Sequence, residues 1–103
     1  MTRTVELVIV GADRRATVRA IGAARSGLRV LMTTRSSRSG VARRVHRALR
    51  AAGDDVRQRI SVLTGAEIVC VDGVGSVEAV VIRRLCTGQL MVFNANAILF
   101  ATR

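Results

Sequence analysis

Gly11, Asp13 and Ala16 stand at the spacing with which a strand, a tight turn and a helix can gather backbone amides around a pyrophosphate. The chain reads Thr4-Val5-Glu6-Leu7-Val8-Ile9-Val10 and continues directly into Gly11-Ala12-Asp13-Arg14-Arg15-Ala16. The pattern that suits this chemistry is G-x-G-x-x-G/A. Its first glycine makes the turn, its second lets the backbone touch the phosphate, and its third position packs helix against strand. Gly11 and Ala16 suit their places, but Asp13 brings a carboxylate to the second. Two like charges ~4 Å apart repel by roughly 1 kcal/mol in water and several-fold more in a partly buried site. Arg14 and Arg15 are near enough in sequence to offset that repulsion. The expectation is a sound scaffold for an anion with a damaged ligand contact.

A second group follows the next apolar run. In Thr34-Arg35-Ser36-Ser37-Arg38, the arginines can make charge-assisted bonds to a phosphate dianion and the serine hydroxyls can add donors. The same five residues also suit a solvated polar turn. Catalytic chemistry has less to stand on. His46 is the sole histidine and has no paired nucleophile or carboxylate in a recognisable arrangement, so it reads as a helix-surface residue. Cys70 and Cys86 form no CxxC and have no second metal-ligand pair. Cys70, in an apolar strand, is expected to pack as a small hydrophobe, and Cys86, beside a turn, to be partly exposed. No catalytic residue and no metal site is assigned.

The elements that must position these groups follow from the apolar pattern. Residues 4–10 predict a buried strand, residues 14–26 a helix, and Gly27 a glycine stop. In that helix Val18, Ile21 and Ala24 or Arg25 follow the three-to-four spacing, with Ala16, Ala20 and Ala23 on the adjoining face. Residues 28–33 predict the second strand, parallel to the first. A second helix is expected from about 41 to 52, with Val45, Ala48, Leu49 and Ala52 as its apolar stripe. Residues 56–59 add a short helical turn. From residue 60 the spacing shortens to strands at 60–63, 67–72, 77–85 and 89–93, with glycine-containing separators, which implies an antiparallel meander. The wholly apolar run 97–101 predicts a central buried strand. The fold class expected is α/β: a Rossmann-like βαβ parallel sheet with an antiparallel β-meander.

Composition bounds the rest. The chain has 103 residues, half of them apolar, enough for one domain with a modest core. Seventeen basic residues against seven acidic ones give a formal charge of +10, and every basic residue is Arg. That charge favours polyanionic partners. Nucleic acid is not the favoured one, because the recognised binding motifs are missing and Phe93 and Phe100 are the only aromatics available for stacking. No apolar run reaches the ~18 residues of a membrane span and no signal-peptide pattern opens the chain, so a cytoplasmic location is expected.

The two halves together resemble the FAD-binding domain of the succinate dehydrogenase, fumarate reductase and L-aspartate oxidase flavoproteins. Val5 to Arg35 is similar to the opening βαβ unit of that family. Gly75-Ser76-Val77-Glu78-Ala79-Val80-Val81 through Thr87-Gly88-Gln89-Leu90-Met91-Val92-Phe93 resembles its hairpin. Ala95-Asn96-Ala97-Ile98-Leu99-Phe100-Ala101-Thr102 resembles its A-x-A-V-I-L-A-T-G ending, with Arg103 in place of the glycine. The resemblance implies FAD as cofactor, with Gly11, Ala12, Asp13 and Ala16 at the pyrophosphate turn and Ala101 and Thr102 approaching from the last strand. Thr34 stands where the family has a ribose-binding acid. A shortened middle implies a truncated single domain, 1–103, with little turnover of its own and a companion subunit supplying the substrate domain.

The NADPH-binding domain of thioredoxin reductase-like enzymes is a second resemblance, with the same βαβ-plus-meander plan. It places basic residues after the second strand, and Thr34, Arg35 and Arg38 would then meet a 2′-phosphate. Three readings therefore stand. They are an FAD-binding oxidoreductase domain or subunit, an NADP(H)-binding domain, and a basic nucleic-acid or protein-binding module on a degenerate Rossmann scaffold. A gene remnant without function is compatible with the same residues.

Overall fold

A computed structural model describes residues 3–74 and 76–101. Two four-stranded sheets face one another. The parallel sheet has the order β4(Ile60–Leu63), β3(Val30–Thr33), β2(Leu7–Val10), β8(Ala97–Phe100). The mixed sheet has the order β1(Arg3–Thr4), β7(Leu90–Asn94), β6(Ala79–Arg84), β5(Ala66–Asp72). Helices α1(Arg14–Arg25), α2(Ser39–Ala52) and α3(Asp54–Arg59) cover the other face of the parallel sheet. This is the expected α/β class: a Rossmann-like βαβ sheet with an antiparallel meander, β5–β6–β7.

Alternation along the inner strands separates two cores. Ile9, Val30 and Met32 face the helices and pack with Val45, Leu49 and Val56. Val8 and Leu31 face the meander and pack with Val80, Ile82 and Phe93. Both faces of β2 and β3 are thus covered, which explains their near-continuous apolar runs.

Helix α1 lies close to the sheet because its buried face is made of Ala16, Thr17, Ala20 and Ala24. The expected stripe is rotated: Val18 is 61% exposed and Ile21 half-buried, since small side chains permit the close approach and a valine there would hold the helix off. The helix ends as foreseen at Gly27 (φ +94°). The Gly27 N–H donates to the Ala24 carbonyl at 3.0 Å and the Leu28 N–H to the Ala23 carbonyl at 3.1 Å, a Schellman stop.

Four expectations need correction. The opening strand is broken at Val5–Glu6: Arg3 and Thr4 pair with Phe93 and Asn94 of the meander, and only Leu7 onward enters the parallel sheet. Glu6 causes the crossing. Its carboxylate accepts the Arg29 N–H at 2.7 Å, and its carbonyl accepts the N–H groups of Asn96 and Ala97, both at 3.1 Å. Residues 60–63 form the edge of the parallel sheet, in register with 30–33, and take no part in the meander. The 97–100 strand is the opposite edge rather than a central strand, with Ala97 exposed and Phe100 60% exposed. Cys70 is exposed, because the register of β5 against β6 shifts between Ile68 and Cys70 and turns the thiol to the outer face.

Candidate functional site

The turn after β2 is built as the sequence implies. Gly11 is buried at φ +137°, a backbone region that an L side chain rarely adopts, and its N–H donates to the Thr33 carbonyl at 2.8 Å. That bond ties the turn to the end of β3, so the start of α1 and the loop after β3 share one mouth. The mouth is a cleft of about 210 Å³, lined by Gly11, Ala12, Asp13, Thr34, Ser36, Val41 and Arg44. It lies at the carboxyl ends of β2 and β3, where parallel α/β sheets bind ligands.

Asp13 occupies the helix cap. Its backbone is extended, its carbonyl accepts the Thr17 N–H at 3.0 Å, and its Oδ1 accepts the Ala16 N–H at 2.8 Å. The carboxylate is therefore turned back onto the amide row that would otherwise meet a phosphate. An exogenous anion retains the amides of Arg14 and Arg15, since the first N–H groups of a helix lack intrahelical acceptors. Ala16 is fully buried, so it serves helix packing and gives its amide to Asp13.

The loop after β3 is held firmly. Thr34 donates its N–H to the Leu63 carbonyl at 3.0 Å and accepts from Ala66 at 3.1 Å, and its hydroxyl accepts the Ser36 N–H at 3.3 Å. Arg35 is directed elsewhere: its guanidinium pairs with Glu67 of β5 at 3.7 Å. Arg38 precedes α2 without lining the cleft. Glu67 also takes a hydrogen bond from Arg83, and that bond holds its carboxyl below the ordinary value of 4.5 against the opposing effect of burial, with lesser help from the charges of Arg83 and Arg35. Ala101 is fixed by its N–H to the Val10 carbonyl at 2.9 Å and lies beside Arg15 and Arg19, outside the cleft. Thr102, the remaining candidate, lies outside the described residues, as do Gly75 and Arg103 of the resemblance.

Gly11, Ala12, Asp13 and Thr34 are thus brought together, while Arg35, Arg38 and Ala101 stand apart. Arg44 is the cation that sequence reasoning did not select for the cleft. Arg44 follows Val41 by three residues on α2, which puts the two on one helix face, and the packing of α2 brings that face to the cleft. Among the described residues no ion pair engages Arg44. His46 is exposed on the same helix. No group of three metal-ligating side chains occurs among the described residues, and no helix there is long and apolar enough to cross a membrane.

No protein-family model matches the sequence, and no curated protein does. Solved structures match well. Thioredoxin reductase from Giardia duodenalis superposes with a TM-score of 0.73 at 21% identity, covering 99% of this chain and 32% of its own. The Mycobacterium smegmatis Sdh1 complex gives 0.73 at 15% identity, covering 98% and 34%. The myxobacterial chondrochloren halogenase, described as a variant of FAD-dependent halogenases, gives 0.72 at 15%, covering 97% and 37%. At such identities the likeness is one of fold. The chain spans about a third of the length of the structures that it matches.

Proposed function

We propose that this chain is the nucleotide-binding domain of a flavoprotein-type oxidoreductase and takes the adenosine pyrophosphate part of FAD in the cleft between α1 and the Thr34–Ser36 loop. The observation that carries this reading is the single mouth formed by the buried Gly11 turn, the start of α1 and the end of β3. It is supported by a fold shared with thioredoxin reductases and an FAD-dependent halogenase. In this role Gly11 and Ala12 let the pyrophosphate approach the backbone, the amides of Arg14 and Arg15 donate to it, and Thr34 meets a ribose hydroxyl. The flavin, when bound, supplies hydride and electron transfer, while the chain supplies binding and orientation. Turnover by these 103 residues alone is expected to be minimal, because they span about a third of the length of the structures matched. Calorimetric titration with FAD tests the reading: heat of binding and a raised unfolding temperature support it. The absence of both responses at millimolar FAD would overturn it.

A second reading, NADP(H), is favoured by one observation. Arg44 and Ser36 line the cleft beside Thr34, where a ribose-binding carboxylate would repel a 2′-phosphate. Comparative titration decides between them: NADPH bound in preference to NADH, with the preference lost on Arg44→Ala, supports this ligand.

A further inference from the structure

Between the two sheets lies a cavity of about 330 Å³ that shares no lining residue with the nucleotide cleft. Four arginines from four separate elements surround it: Arg3 on β1, Arg29 just before β3, Arg59 at the end of α3 and Arg84 at the end of β6. Its lining is mixed, with Thr4, Gln58 and Ser61 beside an apolar group. Leu31 and Leu63 contribute from the parallel sheet and Met91 and Phe93 from β7, all part of the core beneath the meander. Among the described residues no acidic side chain lines it.

The charge of this cavity is largely uncompensated. Among the described residues the ion pairs are Arg35 and Arg83 with Glu67, and Arg57 with Asp54, and none engages the four rim arginines. Arg59 donates from Nη1 to the Asp55 carbonyl at 3.2 Å, which uses one donor of five. The neighbouring carboxylate of Glu6 accepts the Arg29 backbone N–H at 2.7 Å and forms no ion pair with a rim arginine among the described residues. Guanidinium groups bind carboxylates and phosphates bidentately, and cations grouped around apolar side chains favour a ligand with a charged head and an apolar body. The volume sits at the small end of the roughly 300–1,000 Å³ typical of small-molecule pockets.

We propose that this cavity binds a small amphipathic anion, a carboxylate or phosphate monoester carrying a short aliphatic or aromatic body. The head meets the arginine rim and the body lies on Leu31, Leu63, Met91 and Phe93. The cavity and the nucleotide cleft share no lining residue, so the two sites can be filled together. The proposal does not depend on the nucleotide reading.

Titration of the full chain with decanoate, followed by methyl and backbone NMR, is the test. Expected are shifts of Leu31, Leu63 and Met91 and a dissociation constant raised about tenfold or more in the Arg29→Gln/Arg84→Gln double variant. Arg43→Gln/Arg47→Gln on α2 removes the same charge and should leave binding within about twofold. Decanol, lacking the charge, and sulfate, lacking the body, should each bind about tenfold more weakly than decanoate. Equal binding of decanol or sulfate, shifts confined to other residues, or equal weakening by both double variants would overturn the proposal. The decanol and sulfate comparisons need only the unmodified chain and so survive a variant that fails to fold. Millimolar FAD should not displace decanoate, and displacement would also count against a separate site.

Discussion

Asp13 and Ala16 are joined by a 2.8 Å hydrogen bond from the Ala16 amide to the Asp13 carboxylate, which closes the start of α1 with the protein's own anion. A bound phosphate must displace that carboxylate or share the amide row with it. Asp13→Gly removes the competitor, and glycine at a helix cap costs only a few tenths of a kcal/mol relative to the natural cap residues. FAD or NADPH, whichever binds, should bind the variant about tenfold more tightly, a gain of about 1.4 kcal/mol by calorimetry. Asp13→Ala should show the same direction of change in affinity while losing about 1 kcal/mol of stability, because alanine caps poorly.

Thr33 carries a hydroxyl that is buried and has no hydrogen-bond partner among the described residues. Removing a lone buried hydroxyl without changing the shape of the side chain relieves its desolvation cost, so Thr33→Val should stabilise the fold by about 1 kcal/mol. Urea unfolding should show a higher midpoint at an unchanged slope.

Ala20 is fully buried on the sheet-facing side of α1, and Val18 on the same helix is 61% exposed. Ala20→Leu should therefore cost about 1–3 kcal/mol by forcing helix and sheet apart. Val18→Leu should be close to neutral. The pair of unfolding curves checks whether the alanine face sets the helix-to-sheet distance.

Glu67 ties β5 to Arg83 on β6 and to Arg35 after β3, and its carboxyl titrates below the ordinary value of 4.5. A carboxyl with a depressed folded pKa contributes stability above the unfolded value and loses it as pH falls through the folded one. The stability difference between the native chain and Glu67→Gln should hold steady above about pH 5 and shrink below about pH 4. Denaturant unfolding at a series of pH values measures it, and high salt should reduce the difference because the pair is partly exposed.

The βαβ core was legible because its signals are local. A continuous apolar run, a glycine turn, a helix period and a stop glycine sit next to one another in the chain, and Gly27 closes α1 as its position implies. The failures occurred where a distant contact decides. Glu6 interrupts an apolar strand because of Arg29, Asn96 and Ala97, and none of these can be inferred from the local run. The sequence 97–100 is as apolar as a central strand, yet its place at the sheet edge depends on which neighbours are present. At the site, the turn glycine and the opposing Thr34 were visible from motif spacing. Arg44 was not selected, because its relevance comes from how α2 packs across the cleft. The four rim arginines of the second cavity, at positions 3, 29, 59 and 84, have no spacing that would unite them.

The crossing at Val5–Glu6 has a consequence for how the chain reaches its native state. Its opening ten residues join both sheets, yet their partners include Phe93, Asn94 and the strand from Ala97, about ninety positions later. During synthesis these strands must wait, half-paired, until residues 93–100 have left the ribosome. Over that interval the apolar Leu7–Val10 edge is open to pairing with other nascent chains.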